Sequence, residues 1–273
     1  MAVYPIFPGR KRKAFTLSYD DAWPQDRALI ALMNKYGLKG TFNLNSGEKK
    51  FTDITDIKEL YNGHEIASHA LTHVYLDRVS PQTATYEIMK DRENLEKTFG
   101  GSIRGFAYPY TAFNHDTPQL LRNCGIAYAR TAGCTGQFSM PGDWYRWNPT
   151  CSSDKIDDLM VCCDEFLKNK PIFNQCSLLY VYGHSNNLDK ENCWEKLEAF
   201  FKKISAKEDI WYATNIEICD YISAFKNLVM SVDGNYIFNP TNTTLSLVYT
   251  GTDFIAGGKE FEIKPGEHIY LNK

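Results

Sequence analysis

The chain has 273 residues, of which 43% are hydrophobic, enough for one large α/β domain, or a domain with a small appendage, whose core needs no disulfides. A formal charge of -3, with Lys and Arg scattered outside the run Arg10, Lys11, Arg12, Lys13, argues against nucleic acid as a partner, and that short run reads as a solvated lead-in. No apolar run approaches the roughly 18 residues of a membrane span and no signal-like stretch opens the chain, so a cytoplasmic location is expected, or secretion if a signal has been removed.

In chain order, short apolar runs at 14–19, 41–45, 65–68, 105–108, 127–131, 178–182 and 210–213 read as strands. Between them lie amphipathic stretches. Residues 25–36 place Leu29, Leu32, Met33 and Tyr36 at helical spacing before Gly37, and residues 81–99 follow a Ser80-Pro81 start and end at Gly100-Gly101. Further helices are expected at 116–123, 155–168, 189–204 and 214–228. Strands alternating with helices predict a parallel sheet with crossover helices, and seven strands suffice to close a barrel. After residue 228 the texture changes. Asn239-Pro240, Gly257-Gly258 and Pro265-Gly266 separate short alternating runs at 245–249 and 260–263, which read as antiparallel β structure. The expected organisation is a barrel over 1–228 and a β-rich extension over 229–273, with the oligomeric state left open.

The chemistry-bearing residues sit at strand ends. Asp20 and Asp21 close the first strand, and His69 and His73 follow the third, four residues apart, so that one helical turn would place both rings on one face. Two imidazoles and one carboxylate make a three-ligand set that leaves positions for water and substrate, and the second carboxylate remains to move a proton. Pro109-Tyr110 and His184 also follow strands, so all these features are expected on the C-terminal rim of the barrel, where such folds carry their active sites. The eight cysteines include the adjacent Cys162 and Cys163 but no Cys-x-x-Cys pair, which points to reduced core thiols and not to a structural zinc site. His64 is expected to cap a turn or pack, while His115 and His268 are expected on the surface.

Four motifs in order, over roughly residues 14 to 225, resemble the NodB-type polysaccharide deacetylases of carbohydrate esterase family four, a bacterial subgroup in particular. They are Ser18-Tyr19-Asp20-Asp21, the His69-x-x-x-His73 segment, Phe106-Ala107-Tyr108-Pro109-Tyr110 and Tyr182-Gly183-His184-Ser185. The resemblance implies a distorted (β/α)7 barrel, here with a small C-terminal β appendage, and a metal-dependent hydrolase that removes acetyl groups from an acetylated glycan or amino sugar. It further implies Asp20 as base, Asp21, His69 and His73 as metal ligands, the Tyr110 backbone N–H as oxyanion donor and His184 as acid. The expected metal is Zn2+, with Co2+, Ni2+ or Fe2+ also accommodated by a nitrogen and oxygen set. Pro109, Trp211 and Tyr212 are the substrate-binding candidates, the two strand-end aromatics by stacking on a sugar ring.

The sequence departs from the family at Ala107, where an arginine commonly orients the base. Arg130 and Arg146 are candidates to replace it, because a guanidinium reaches a carboxylate from a different backbone position, whereas Arg104 is expected below the rim. Ala22 and Thr111 stand where glycines are usual, so both loops lose backbone freedom. Two alternative functions share the barrel: hydrolysis of a small or cyclic amide, and carbohydrate binding without turnover.

Overall fold

The computed structural model describes residues 2–172, 174–250 and 258–271. In chain order its elements begin with β1 (Ala2–Ile6), β2 (Lys13–Asp20), α1 (Asp26–Lys35), β3 (Thr41–Leu44), α2 (Lys49–Thr52), α3 (Ile57–Leu60), β4 (Glu65–Ser68) and α4 (Pro81–Phe99). They continue with β5 (Gly105–Ala107), α5 (Thr117–Asn123), β6 (Tyr128–Arg130), β7 (Cys151–Ser152), α6 (Ile156–Lys168), β8 (Ser177–Gly183), α7 (Ser185–Lys190), α8 (Trp194–Ile204), β9 (Ile210–Tyr212) and α9 (Asn215–Lys226). Five short strands complete the chain: β10 (Val229–Met230), β11 (Tyr236–Phe238), β12 (Leu245–Thr250), β13 (Lys259–Ile263) and β14 (His268–Tyr270).

Every residue of β2 is buried, as a strand covered on both faces requires. It lies at the centre of a parallel sheet in the order β6-β5-β4-β3-β2-β8-β7. The sheet curls until its ends meet: Trp147, just before β7, donates to Ala129 O (3.0 Å) and accepts from Thr131 N (3.1 Å), forming a parallel bridge with Arg130. The result is the expected distorted seven-stranded (β/α) barrel, with one change of membership. The seventh strand of the ring is β7, two polar or sulfur-bearing residues with no apolar run to announce them. The expected strand at 210–213 forms as β9 but pairs only with the first three residues of β2, outside the ring order. The helix expected at 189–204 is also two helices, because Asn192 adopts a left-handed conformation (φ 50°) and ends the run.

The helix ends follow their local chemistry. Ser80 Oγ accepts from Thr83 N at the start of α4, Pro81 occupies its first turn and Gly100 (φ 81°) ends it. Thr214 and Glu217 form a capping box on α9. At the N-terminal end of the barrel Asn215 seals the interior, bonding Thr16, Thr41 and the Tyr180 hydroxyl.

The first and last segments of the chain meet. β1 pairs antiparallel with β12, which pairs with β13, while β10, β11 and β14 form a separate three-stranded sheet. Ile6, Leu245, Leu247 and Ile263 share one buried cluster with Ile218 of α9, and Tyr221 donates its hydroxyl proton to Ile6 O (2.7 Å). Gly258 packs against Val248 and Tyr249, whereas its expected turn partner Gly257 lies outside the described residues.

Candidate active site

Asp20 is the last residue of β2 and is almost fully buried on the C-terminal rim. Its Oδ2 accepts from Arg130 Nη2 (2.5 Å) and its Oδ1 from Asn43 Nδ2 (2.8 Å). Burial opposes its ionisation, but Arg130, His69, His184 and the Asn43 bond together hold its carboxyl below the usual range. Asp21 turns away from the strand with φ 79°, and Ala22 follows with φ 52°. Two successive non-glycine residues thus take the left-handed conformation that a glycine at 22 would adopt without strain. The turn is held by Asp21 N donating to Asn43 O (3.0 Å).

His69 follows β4, whose final residue Ser68 is tied to the buried Asp91 of α4 (2.5 Å). Its Nδ1 faces Ala107 O at 2.7 Å, which fixes the proton there and leaves the Nε2 lone pair pointing inward. His73 Nε2 lies 3.1 Å from that atom and 3.7 Å from Asp21 Oδ1. No helix brings the two rings together, contrary to the spacing argument. Ala70 (φ 62°) and His73 (φ 56°) reverse the chain through left-handed turns, and Asn45 Nδ2 holds the carbonyls of His69 and Ala70. Strand pairing has already fixed His69, so the loop has to fold back over the barrel mouth for His73 to meet it.

The ligand atoms of Asp21, His69 and His73 lie within 4.8 Å of one another. Two imidazole nitrogens facing each other beside a carboxylate suit a shared divalent cation, because two lone pairs at that distance repel unless a proton or a metal lies between them. The residues present therefore fit such a group. Across the site, His184 Nε2 is 3.8 Å from Asp20 Oδ2 and 3.9 Å from Asp21 Oδ2, with Asp154 Oδ2 3.7 Å from its other ring nitrogen. Burial lowers the affinity of His184 for a proton, but Asp154, Asp20 and Asp21 outweigh it and the pKa is raised.

Of the two arginine candidates, Arg130 reaches Asp20 and Arg146 does not. Arg130 stands at the end of β6 with its guanidinium 4.9 Å over the Tyr182 ring and Nη1 bonded to Thr131 O. Arg146 lies in a 3-10 turn that points it outward, where it pairs with Asp143 at 3.2 Å. The expected placement of Trp211 and Tyr212 also changes. β9 runs beside the start of β2, so Tyr212 lies level with Phe15, five residues or about 16 Å along the strand from Asp20. Trp211 packs on Phe7 and Tyr221, and the Tyr212 hydroxyl bonds Ile204 O and Lys207 N. Both aromatics are structural at that end.

Pro109 is buried, while Tyr110 (φ 55°) and Thr111 (φ 56°) take left-handed conformations at the rim, so Thr111 too adopts the geometry of the absent glycine. Tyr110 sits edge-to-face with His73 (4.4 Å) and stacks on Tyr75 at 3.9 Å and 5°. Tyr75, Asn43, Asp91 and Asp154 were not legible as site residues, since each is defined by a partner distant in the chain or by a loop conformation.

A further buried carboxylate supports the rim. Asp26, at the start of α1, accepts from Ser185 Oγ (2.5 Å) and from the Tyr61 hydroxyl (2.7 Å), tying α1 to the segment that carries His184. Burial pushes its pKa up to about 7, against the lowering effect of those two bonds. The unfolded chain ionises this group near 3.9. Between about 4 and 7 the folded state therefore holds the extra proton, and its stability falls as pH rises. Urea denaturation at pH 4 and pH 8 is expected to show Asp26→Asn gaining roughly 1–4 kcal/mol relative to wild type at the higher pH. An equal difference at both pH values would mean that Asp26 ionises as freely in the folded chain as in the unfolded one.

Residues 8–129 match the sequence model of the polysaccharide deacetylase family. YxkH of Bacillus subtilis, named for the polysaccharide deacetylases, is 25% identical over 115 residues, which cover 41% of this chain and 39% of that protein. The chain thus matches about two-fifths of its curated relative's length. Among solved structures, a protein from Mycobacterium smegmatis named in the same way has a TM-score of 0.59 at 17% identity, covering 82% of this chain and 94% of that one. A carbohydrate esterase family four pseudoenzyme from Bacillus anthracis has a TM-score of 0.53 at 15% identity, covering 80% and 68%. At these identities the likeness is one of fold, and activity has to be argued from the site.

Proposed function

We propose that this chain, whose residues 8–129 match the polysaccharide deacetylase family, is a metal-dependent hydrolase that removes acetyl groups from an acetylated glycan or amino sugar. The observation that carries this reading is the convergence of Asp20, Asp21, His69, His73 and His184, from three separate strand ends, with separations of 3.7 to 4.0 Å between the carboxylates and the rings. Asp21, His69 and His73 would hold a divalent cation, zinc by preference, which polarises the acetyl carbonyl and lowers the pKa of water from 15.7 towards about 7.

The remaining steps belong to the protein. Asp20, kept ionised by Arg130, accepts the proton of the attacking water. The backbone N–H of Tyr110 would donate to the oxyanion, and the Tyr75 stack on the Tyr110 ring supports the left-handed conformation of that residue. His184, whose proton affinity is raised by Asp154, protonates the amine nitrogen as the carbon–nitrogen bond breaks. Water and an N-acetyl group thereby become acetate and a free amine. The carbohydrate substrate follows from the family, since the site chemistry fits any acetyl amide or ester that reaches it.

Acetate release from a panel of acetylated oligosaccharides by metal-free, zinc-loaded and cobalt-loaded protein tests the reading. Release that appears only with metal supports it, and the absence of release in every loaded sample overturns it. The acid role has its own test. Replacing His184 with Gln is expected to slow N-acetyl hydrolysis roughly 10²-fold or more, because an amine leaves poorly without a proton. Nitrophenyl acetate, whose leaving group needs none, is expected to lose far less. Equal losses on both substrates would remove His184 from the acid role.

A further inference from the structure

Next to the site lie two donors that the reaction leaves without acceptors. Lys50, in the short helix α2, holds its ammonium 3.9 Å above the Trp23 ring and 3.7 Å from Asp21 Oδ2. That separation exceeds a hydrogen bond, and among the described residues the ammonium has no hydrogen-bonded protein acceptor. The indole Nε1 of Trp23 is buried and has no partner either. Buried N–H groups without acceptors are rare in folded proteins and ask for an explanation.

Both residues line a cavity of about 290 Å³, which the Lys50 ammonium joins to Asp21 of the site. Its wall also carries two acidic groups, of which Asp56 is held by Arg27 through bonds of 2.6 and 2.8 Å, leaving the exposed Asp53 as the opposing charge. The charges of the wall sum to zero, so the choice of ligand rests on the two donors without acceptors, one of them a cation, which together suit the two oxygens of one carboxylate. A cation this close to the ligand set has a further consequence. Once Asp21 shares its charge with a dication, its pull on Lys50 weakens and the ammonium is freed for a group of the substrate.

We propose that this cavity is a subsite for a sugar ring bearing a carboxylate, bonded by Lys50 Nζ and Trp23 Nε1, so that the preferred glycan is acidic next to the acetylated ring. The inference rests on the deacetylase reading and adds the substrate class to it. A pair of matched N-acetylated oligosaccharides tests it, one with the neighbouring ring as a uronic acid and the other with that carboxyl reduced to the alcohol. Zinc-loaded wild-type protein is expected to show a kcat/KM about ten-fold higher for the acid, carried by KM and reduced by high salt. Lys50→Met is expected to erase the preference, and Trp23→Phe, which keeps a ring but lacks the N–H, to reduce it. Equal kcat/KM values in wild type, or a preference that survives Lys50→Met, would overturn the proposal. Equilibrium binding of the same two sugars to zinc-loaded wild type and Lys50→Met separates the two levels. If neither sugar releases acetate, the deacetylase reading fails, while tighter binding of the acid that depends on Lys50 still supports the subsite and equal binding still refutes it.

Discussion

Asp20→Asn is expected to reduce acetate release by roughly 10²–10⁴-fold while leaving the metal content of the protein unchanged. The substitution keeps the volume of the side chain and an oxygen for Arg130, but removes the carboxylate that Arg130 holds ionised outside the Asp21, His69 and His73 set. The retained metal is the informative part. If Asp20 were a ligand and not a base, its loss would deplete the protein of metal, and activity would return at high metal concentration. Metal analysis after desalting, beside steady-state kinetics over a range of added zinc, distinguishes the two outcomes. A variant that binds metal normally and still turns over within ten-fold of wild type would sink the assignment of Asp20 as base.

The structure shows where local sequence signals suffice and where they stop. β2 was legible because Ala14, Phe15, Leu17 and Tyr19 make a short apolar run that no glycine or proline interrupts, and α4 because a serine cap, a first-turn proline and a terminal glycine mark both ends. Asp20, His69, Tyr110 and His184 could be placed on one rim because each lies at or just beyond the end of a strand of a parallel sheet, and parallel strands present their ends together. What failed was whatever depends on which strands are neighbours. β7 is two residues long and exists only because Thr150 and Ser153 bond the carbonyls of Tyr180 and Tyr182. Trp211 and Tyr212 end a strand as read, but β9 joins β2 at the wrong end to share its rim. The His69 and His73 spacing fits a helix equally well on paper, and only the left-handed Ala70 and His73 show that a loop performs the same task. Asn43 and Asp154 touch Asp20 and His184 from 23 and 30 residues away, a relation no local pattern carries.

Arg130→Ala is expected to be the most destabilising single change at the site, by about 3–5 kcal/mol, because it leaves a buried carboxylate without its counter-charge. Arg130 and Asp20 are both nearly inaccessible, with side-chain exposures of 2% and 4%, so solvent does little to screen the loss. Asn43 alone is a neutral donor and cannot compensate it. The removal of both charges is expected to cost less than removal of Arg130 alone, since Asp20→Asn in the Arg130→Ala background relieves the stranded charge. Lys at 130 keeps the charge but lacks the planar fork that bonds Asp20 and Thr131 O together, so an intermediate stability is expected. Arg146→Ala, by contrast, breaks only an exposed pair with Asp143 and is expected to shift stability by less than about 1 kcal/mol. Urea denaturation at pH 7 of wild type and five variants, Arg130→Ala, Asp20→Asn, their combination, Arg130→Lys and Arg146→Ala, measures the cycle and its controls, and metal content measured alongside reports whether Asp21, His69 and His73 keep their arrangement. A cost for Arg130→Ala below about 1 kcal/mol, or additive effects of the two substitutions, would mean that Asp20 is not held as an ion by Arg130. The base would then need another source for its charge, and the replacement of the arginine absent at Ala107 would fall with it.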